Sequence, residues 1–382
     1  MNGAAAWRTM TGRGAAAPAA RPAARPAVET VLIFPAGLPD SLKHRAEAQA
    51  RGQRVIGASS LNFDPAAQAY DAWEHLPWVH DRSFADRLDE VIRRCGVTAI
   101  YAPHEVVSGV LCDLLASTHP GVRLIDPHPA MKAEQAYRDL LAASAEACAT
   151  GWFGEASKRP LLTPIERAGV VRLVDTVAGM TDGDKIDAVI ETLALAPDGD
   201  IVEIGSWWGR SAALFVLLAQ RWKIGSVLCV DPWRQDNLNQ GVEVLDRASA
   251  RVDTDWAHQI FQINLAPLAG GRLNFMRATS TDAAARYHPG LTLENESFGA
   301  TTYTGQIAFL HIDGNHTYEH AAADAAAWTP HVMPGGWIVF DDYIWAFGDG
   351  PRRVGDEYLA REHARIAVSF VIGTALFVRL RD

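Results

Sequence analysis

The stretch Ile201-Val-Glu-Ile-Gly-Ser-Trp-Trp-Gly-Arg-Ser211 constrains this chain more than any other. A short apolar run carrying one acid turns through two glycines and enters the apolar segment 212–220. That pattern spells strand, tight turn, helix. Gly205 and Gly209 allow a sharp backbone turn with room for a ligand against it. The next helix presents free N–H groups to that space. Glu203, at the strand's end, suits a cation or a hydroxyl. The spacing is not G-x-G-x-x-G, which argues against a nicotinamide dinucleotide.

Upstream, strands alternate with helices. Val31-Leu-Ile-Phe34, Arg54-Val-Ile-Gly57, Thr98-Ala-Ile-Tyr101 and 122–125 read as strands. Residues 41–52 and 84–95 read as helices, the second with Phe84, Leu88, Val91 and Ile92 on one face. This order predicts a parallel sheet covered by helices. The layout resembles the nucleotide-fold domain that precedes ATP-grasp modules, but no ATP-grasp catalytic region follows, so ligase activity is not expected. His104 and Glu105 fall beyond a strand's carboxyl end, where such sheets bind ligands; a capped strand end is the competing reading. Residues 1–28, rich in Ala, Pro and Arg with no acid before Glu29, are expected to be a disordered tail. The expected division is a smaller N-terminal α/β domain over 29–129, a helical linker over 130–184 and a second α/β domain over 185–382. Thr163-Pro-Ile-Glu166 opens a helix inside the linker.

In the second half, Ser226–Val230 is a strand ending at Asp231-Pro-Trp233, and Arg272–Met276 is another, followed by Arg277-Ala-Thr-Ser280. Ile307–Ile312 ends in Asp313-Gly-Asn-His316, and Trp337-Ile-Val-Phe340 ends in Asp341-Asp342-Tyr343. Two apolar runs around Gly373-Thr374 predict a terminal β-hairpin. Segments 235–268 and 287–305 exceed minimal connections and are expected to face a substrate.

The glycine turn resembles the first motif of class I S-adenosylmethionine-dependent methyltransferases, and the terminal hairpin suits their sheet. The string His311-Ile-Asp-Gly-Asn-His-Thr-Tyr318, followed by Gly335-Gly-Trp-Ile-Val-Phe-Asp-Asp-Tyr343, resembles the branch holding the metal-dependent sugar O-methyltransferases of macrolide biosynthesis. It covers roughly residues 160–382, with Asn315 standing where some relatives have an acid. The resemblance implies S-adenosylmethionine cradled by Glu203, Gly205, Ser206, Trp207, Gly209 and Ser211. It also implies ribose on Asp231 and adenine near Ser280. In related enzymes the segment matching Gly179-Met180-Thr181 covers the cofactor.

Asp313, Asp341 and Asp342 then end adjoining strands. Three converging carboxylates repel unless a positive charge lies between them, and Mg²⁺, which takes oxygen ligands, is the expected one. His316 is one turn away and can take a hydroxyl proton, making His316 and Asp313 the expected catalytic pair. The competing reading has these acids capping backbone and His316 as a structural hydrogen-bonder. Trp207, Trp208, Trp233 and Trp345 are candidates to stack on an acceptor, and Arg352 and Arg353 to pair with an acid on it. The net charge of -10 disfavours nucleic acid as a partner. No apolar run reaches the ~20 residues that span a bilayer. Four scattered cysteines fit reduced thiols in a cytoplasmic protein, a possible homo-oligomer. The expected reaction is methyl transfer to a small-molecule hydroxyl, of a sugar or natural-product intermediate, with metal assistance. The rivals are a metal-free O- or N-methyltransferase, a non-catalytic cofactor-binding module and a nicotinamide oxidoreductase.

Overall fold

The structure is a computed structural model that describes residues 29–151 and 157–382. The tail expected over 1–28 lies outside the described residues. The chain forms two compact units, divided between Ala136 and Tyr137.

The first unit contains β1 (Thr30–Ile33), α1 (Pro39–Ala50), β2 (Arg54–Ser59), β3 (Ala72–His75), α2 (Phe84–Cys95), β4 (Ala99–Tyr101), α3 (Glu105–Thr118) and β5 (Arg123–Ile125). All five strands run parallel in the order β3-β2-β1-β4-β5. Alternate residues feed two apolar layers, with Leu32, Ile56 and Ile100 on one face and Val31, Val55 and Ala99 on the other. Strands buried on both faces therefore appear as continuous apolar runs. β3 was not expected; its half-exposed Ala-Trp-Glu-His sequence lies at the sheet edge.

The division falls inside α4 (Pro129–Thr150). The second unit continues with α5 (Pro164–Asp175), α6 (Gly183–Leu195), β6 (Asp200–Ile204), α7 (Arg210–Trp222), β7 (Val227–Val230), α8 (Glu243–Ser249), α9 (Thr254–Ala269), β8 (Leu273–Met276) and α10 (Ser280–Arg286). Then come β9 (Thr292–Asn295), β10 (Gly299–Thr302), β11 (Ile307–Ile312), α11 (Tyr318–Trp328), β12 (Val332–Phe340), α12 (Gly350–Glu362), β13 (Ile366–Ile372) and β14 (Ala375–Leu380). Thr163 caps α5 in a reciprocal box with Glu166. Residues 137–184 belong to the same unit as the large sheet, with α5 packed on α7.

The large sheet has the order β13-β14-β12-β11-β6-β7-β8. Its first five strands in the chain are parallel, and β14 enters antiparallel beside β12, paired with β13 across the predicted hairpin. This is an α/β Rossmann-like architecture with an antiparallel terminal hairpin, as the sequence resemblance implies. Val202, Leu228, Leu310 and Ile338 build one apolar layer; Ile201, Val227, Phe309 and Trp337 build the other. Each such side chain contributes about 1.5–3 kcal/mol on burial.

The two long segments separate. Residues 287–305 hold the β9–β10 hairpin, and Tyr287 Oη donates 2.6 Å to Asp200 Oδ2, joined by the N–H groups of Thr304 and Gly305. Asp200 begins β6, so this insertion sits at the far end of the strand from Gly205 and does not face the site. Segment 235–268 does reach the site: Asn315 Nδ2 donates to the carbonyls of Asn237 and Asn239.

Candidate active site

Four parallel strands end together, and each end is hydrogen-bonded to its neighbour. Gly205 N donates to Val230 O, Asp313 N to Ile204 O, and Asp341 N to Ile312 O. Gly205 has φ +83°, and a Cβ there would lie 1.9 Å from the Asp313 carbonyl oxygen. The glycine is thus demanded by the backbone of the β11 turn crossing it, besides any ligand. Gly209, φ +88°, is the N-cap of α7 and provides no side-chain cap. The first-turn N–H groups of α7 consequently have no cap from that residue.

Asp231 braces the turn. One carboxylate oxygen accepts from the N–H groups of Ser206 (3.1 Å) and Trp207 (3.0 Å), the other from Trp233 N (2.7 Å). Three of about four acceptor positions are occupied, which leaves room for one hydroxyl rather than a whole diol. Burial pushes its carboxyl up to about 6 against those three donors. Ser206 is buried, and its side chain hydrogen-bonds the Cys229 thiol. Residues 179–181 cover the start of α7: Arg210 Nε donates to Thr181 O, and a Cβ on Gly179 would touch the Arg210 side chain. Ser280 begins α10 and accepts the Trp328 indole N–H on both its oxygens.

Glu203 points inward. Register aligns Cys229, Glu203, His311 and Val339 across four strands, one layer before the strand ends. Glu203 is fully buried; its Oε1 accepts from Ser211 Oγ (2.5 Å) and meets His311 Nδ1 (3.3 Å). His311 Nε2 continues to Asp341 Oδ2 (3.1 Å), which also receives Lys185 Nζ (2.5 Å) from α6. Lys185, His311, Glu203 and Asp341 are each at most 5% exposed. Burial opposes the charge on His311, but hydrogen bonds to Asp341 and Glu203 outweigh it and raise its pKa to about 10. Likewise Asp341 is held far below the ordinary carboxylate range: His311 and Lys185 overcome its burial. Two cations occupy Asp341 Oδ2, while Asp341 also lies with His311 and Asp313 in a second group whose ligand atoms fall within 4.8 Å of one another. The sequence groups it with Asp313 and Asp342; in the structure it stays near Asp313, but its Oδ2 is taken by Lys185 and His311. Lys185, and the role of His311, were missed; a histidine inside the apolar run Phe309–Ile312 signals a buried partner.

Asp313, His316 and Asp342 do converge, with one ligand atom from each lying within 4.8 Å of the others. His316 Nε2 is 3.0 Å from Asp342 Oδ2 and 3.9 Å from Asp313 Oδ1. Its Nδ1 is buried without a partner among the described residues. Burial disfavours the imidazolium, but Asp313, Asp342 and Asp341 together raise its pKa. Burial and the Asp341 charge push Asp313 up to about 6. Asp342 sits at φ +50°, a strained conformation for a non-glycine residue. Since Lys185 and His311 neutralise Asp341 and Glu203, Asp313 and Asp342 share only His316. The pair therefore retains negative charge, and hard oxygen donors beside an imidazole fit a divalent cation.

The aromatic rim is narrower than expected. Trp345 packs edge-on against His316 at 4.5 Å and contacts Phe347. Trp233 is a core residue against Phe261 and Phe275, and its indole N–H caps Trp207 O. Trp207 and Trp208 stack on each other at 5.8 Å. Arg353 lies 4.0 Å over the Tyr318 ring, and Arg352 is 5.8 Å from that of Tyr343.

Comparison with known proteins agrees with this geometry. Residues 202–343 match the family model described as a methyltransferase domain. The chain is 29% identical over 206 residues to the 8-demethyl-8-(2,3-dimethoxy-alpha-L-rhamnosyl)-tetracenomycin-C 4'-O-methyltransferase of Streptomyces olivaceus, covering 53% of this chain and 75% of that protein. Among solved structures, the O-methyltransferase NovP is 17% identical, with a TM-score of 0.38 over 66% of this chain and 99% of that one. CalS11, a TDP-rhamnose 3'-O-methyltransferase of calicheamicin biosynthesis, is 16% identical, with a TM-score of 0.34 over 66% and 94%. The glycine turn, the sheet that carries it and the family match converge on one conclusion: residues 202–343 are a methyltransferase domain, and the chain is similar to S-adenosylmethionine-dependent O-methyltransferases.

Proposed function

We propose that this enzyme methylates a hydroxyl of a sugar carried by a natural product, with a divalent metal held by Asp313 and Asp342. The observation that carries the reading is the convergence of Asp313, His316 and Asp342 beside the Gly205 turn. The Streptomyces relative's name places its methyl on a rhamnosyl-bearing tetracenomycin, which supports a deoxysugar on an aromatic scaffold as the acceptor class.

Within this reading the cofactor rests on the backbone of Gly205–Trp207 and Gly209. Asp231 supplies one acceptor to the ribose, and Ser280 lies at the adenine end. Glu203 and Ser211, which bond each other, hold the turn from beneath. Mg²⁺ bound by Asp313 and Asp342 would lower the pKa of an acceptor hydroxyl. His316 is the group assigned to take the hydroxyl proton, and Asp342 and Asp313, beside its Nε2, stabilise the imidazolium. Residues 185–382 form the catalytic domain in this assignment, joined through 130–184 to a separate domain over 29–129. A cytoplasmic setting and a homo-oligomer belong to the same proposal. No described helix is long and apolar enough to cross a membrane, and Cys95, Cys112, Cys148 and Cys229 are free thiols.

A second reading rests on the 3.0 Å His316–Asp342 pair: the imidazolium alone balances the carboxylates and no metal is used. Methyl transfer to a rhamnosylated aromatic polyketide, assayed after chelation and again after Mg²⁺ is restored, separates the two. Loss and recovery of turnover, with Asp313→Asn and Asp342→Asn reduced at least ~100-fold, supports the metal. Full turnover after chelation, together with loss in His316→Ala, refutes it.

A further inference from the structure

We propose that the N-terminal unit carries a binding site of its own for a small apolar molecule bearing a protonated amine. The strand order β3-β2-β1-β4-β5 reverses direction between β1 and β4. Loops after those two strands diverge there and open a crevice beyond the carboxyl ends, the place where parallel sheets bind ligands. A cavity of about 480 Å³ fills that crevice. Its lining comes from the segments after β1 (Phe34, Gly37), after β2 (Ser60, Leu61, Asp64) and after β4 (His104, Val107). Trp78 and Val79 complete an apolar wall. Leu61 and Trp78 remain 48% and 54% exposed at its rim. An apolar hollow of this size with a few polar groups is the usual form of a small-molecule site.

The polar groups select the ligand. Asp64 is the one acidic side chain in the lining; His104 is the one basic group there, and no Lys or Arg accompanies them. One of its oxygens caps Ala66 N at 2.9 Å, leaving the other for a ligand. A Cβ on Gly37 would lie 3.1 Å from both Asp64 oxygens, although the glycine's φ is one any residue adopts. A side chain there would crowd the carboxylate, which the glycine leaves open. A carboxylate on an apolar wall with no permanent cation beside it attracts a cation and repels phosphates and carboxylates, so a nucleotide does not suit this crevice.

Tryptamine and indole-3-propionate share an indole and differ in the sign of their charge, which makes them suitable probes. Binding of each to the full chain is measured by calorimetry at neutral pH, with and without saturating S-adenosylhomocysteine. The expected result is tryptamine binding about tenfold or more tighter than the carboxylate, unaffected by S-adenosylhomocysteine. Asp64→Asn, which still caps Ala66, should abolish the preference. Val107→Trp should abolish both by filling the cavity, and Leu61→Trp at the exposed rim does the same without touching the core. S-adenosylhomocysteine binding by each variant reports that the chain is folded. Absence of tryptamine binding by a chain that binds S-adenosylhomocysteine overturns the proposal. So does equal affinity for the two probes, or tryptamine binding that survives both tryptophan substitutions.

Discussion

Removing the ammonium of Lys185 isolates a charge that the fold has taken out of water. Lys185→Met keeps the unbranched stem along α6 and deletes only the group 2.5 Å from Asp341 Oδ2. Asp341 is 3% exposed, so water cannot replace the lost partner. Breaking one side of a buried ion pair costs about 3–5 kcal/mol. His311 Nε2 and the N–H of Asp342 still serve the carboxylate, at 3.1 and 2.9 Å, which places the expected loss near the lower bound, about 3 kcal/mol. For a unit of this size each kcal/mol moves Tm by roughly 2–4 °C, giving a drop of about 6–12 °C at pH 7 in a calorimetric scan. The double variant Lys185→Met/Asp341→Asn removes both charges and should recover part of that loss. The coupling between the two changes should exceed about 1 kcal/mol. A single variant melting within about 2 °C of the parent, or double-variant losses that simply add, would refute the reasoning.

Two further outcomes follow from the same strand ends. His311 has its pKa raised from about 6.5 to about 10 in the folded chain, so its contribution, at most roughly 5 kcal/mol, is complete below pH 6.5 and disappears as pH rises through 10. Denaturant titrations between pH 6 and 10 should show stability falling, and His311→Gln should flatten that slope while lowering stability at pH 6. Gly205→Ala places a Cβ 1.9 Å from the Asp313 carbonyl at φ +83°, so the turn must shift. The expected cost is more than about 3 kcal/mol of stability with loss of S-adenosylhomocysteine binding; a variant that binds normally would show that the crossing yields.

What was legible in the chain follows from how each feature is buried. The strands of both sheets could be read because burial on two faces writes them as unbroken apolar runs, and Gly373-Thr374 marks the hairpin. β3 escaped because an edge strand need bury only part of its surface, and Ala72-Trp-Glu-His75 shows no period. The length of 287–305 announced an insertion but not its end of the sheet; that depends on Asp200, a buried acid at the start of β6 waiting for Tyr287. The site divides in the same way. Gly205 and the acids after β11 and β12 were visible as residues that end apolar runs. Whether each acid faces outward or inward was not, because that depends on register with strands far away in the chain. Glu203 reads as a ligand until His311 is aligned beside it. Asp341 and Asp342 read as a pair until one is joined to Lys185 and the other to His316. The inner set of Glu203, His311, Asp341 and Lys185 is close to electrically balanced. The outer set of Asp313, His316 and Asp342 is not, and that imbalance gives the strand ends a reason to bind a cation beside the glycine turn.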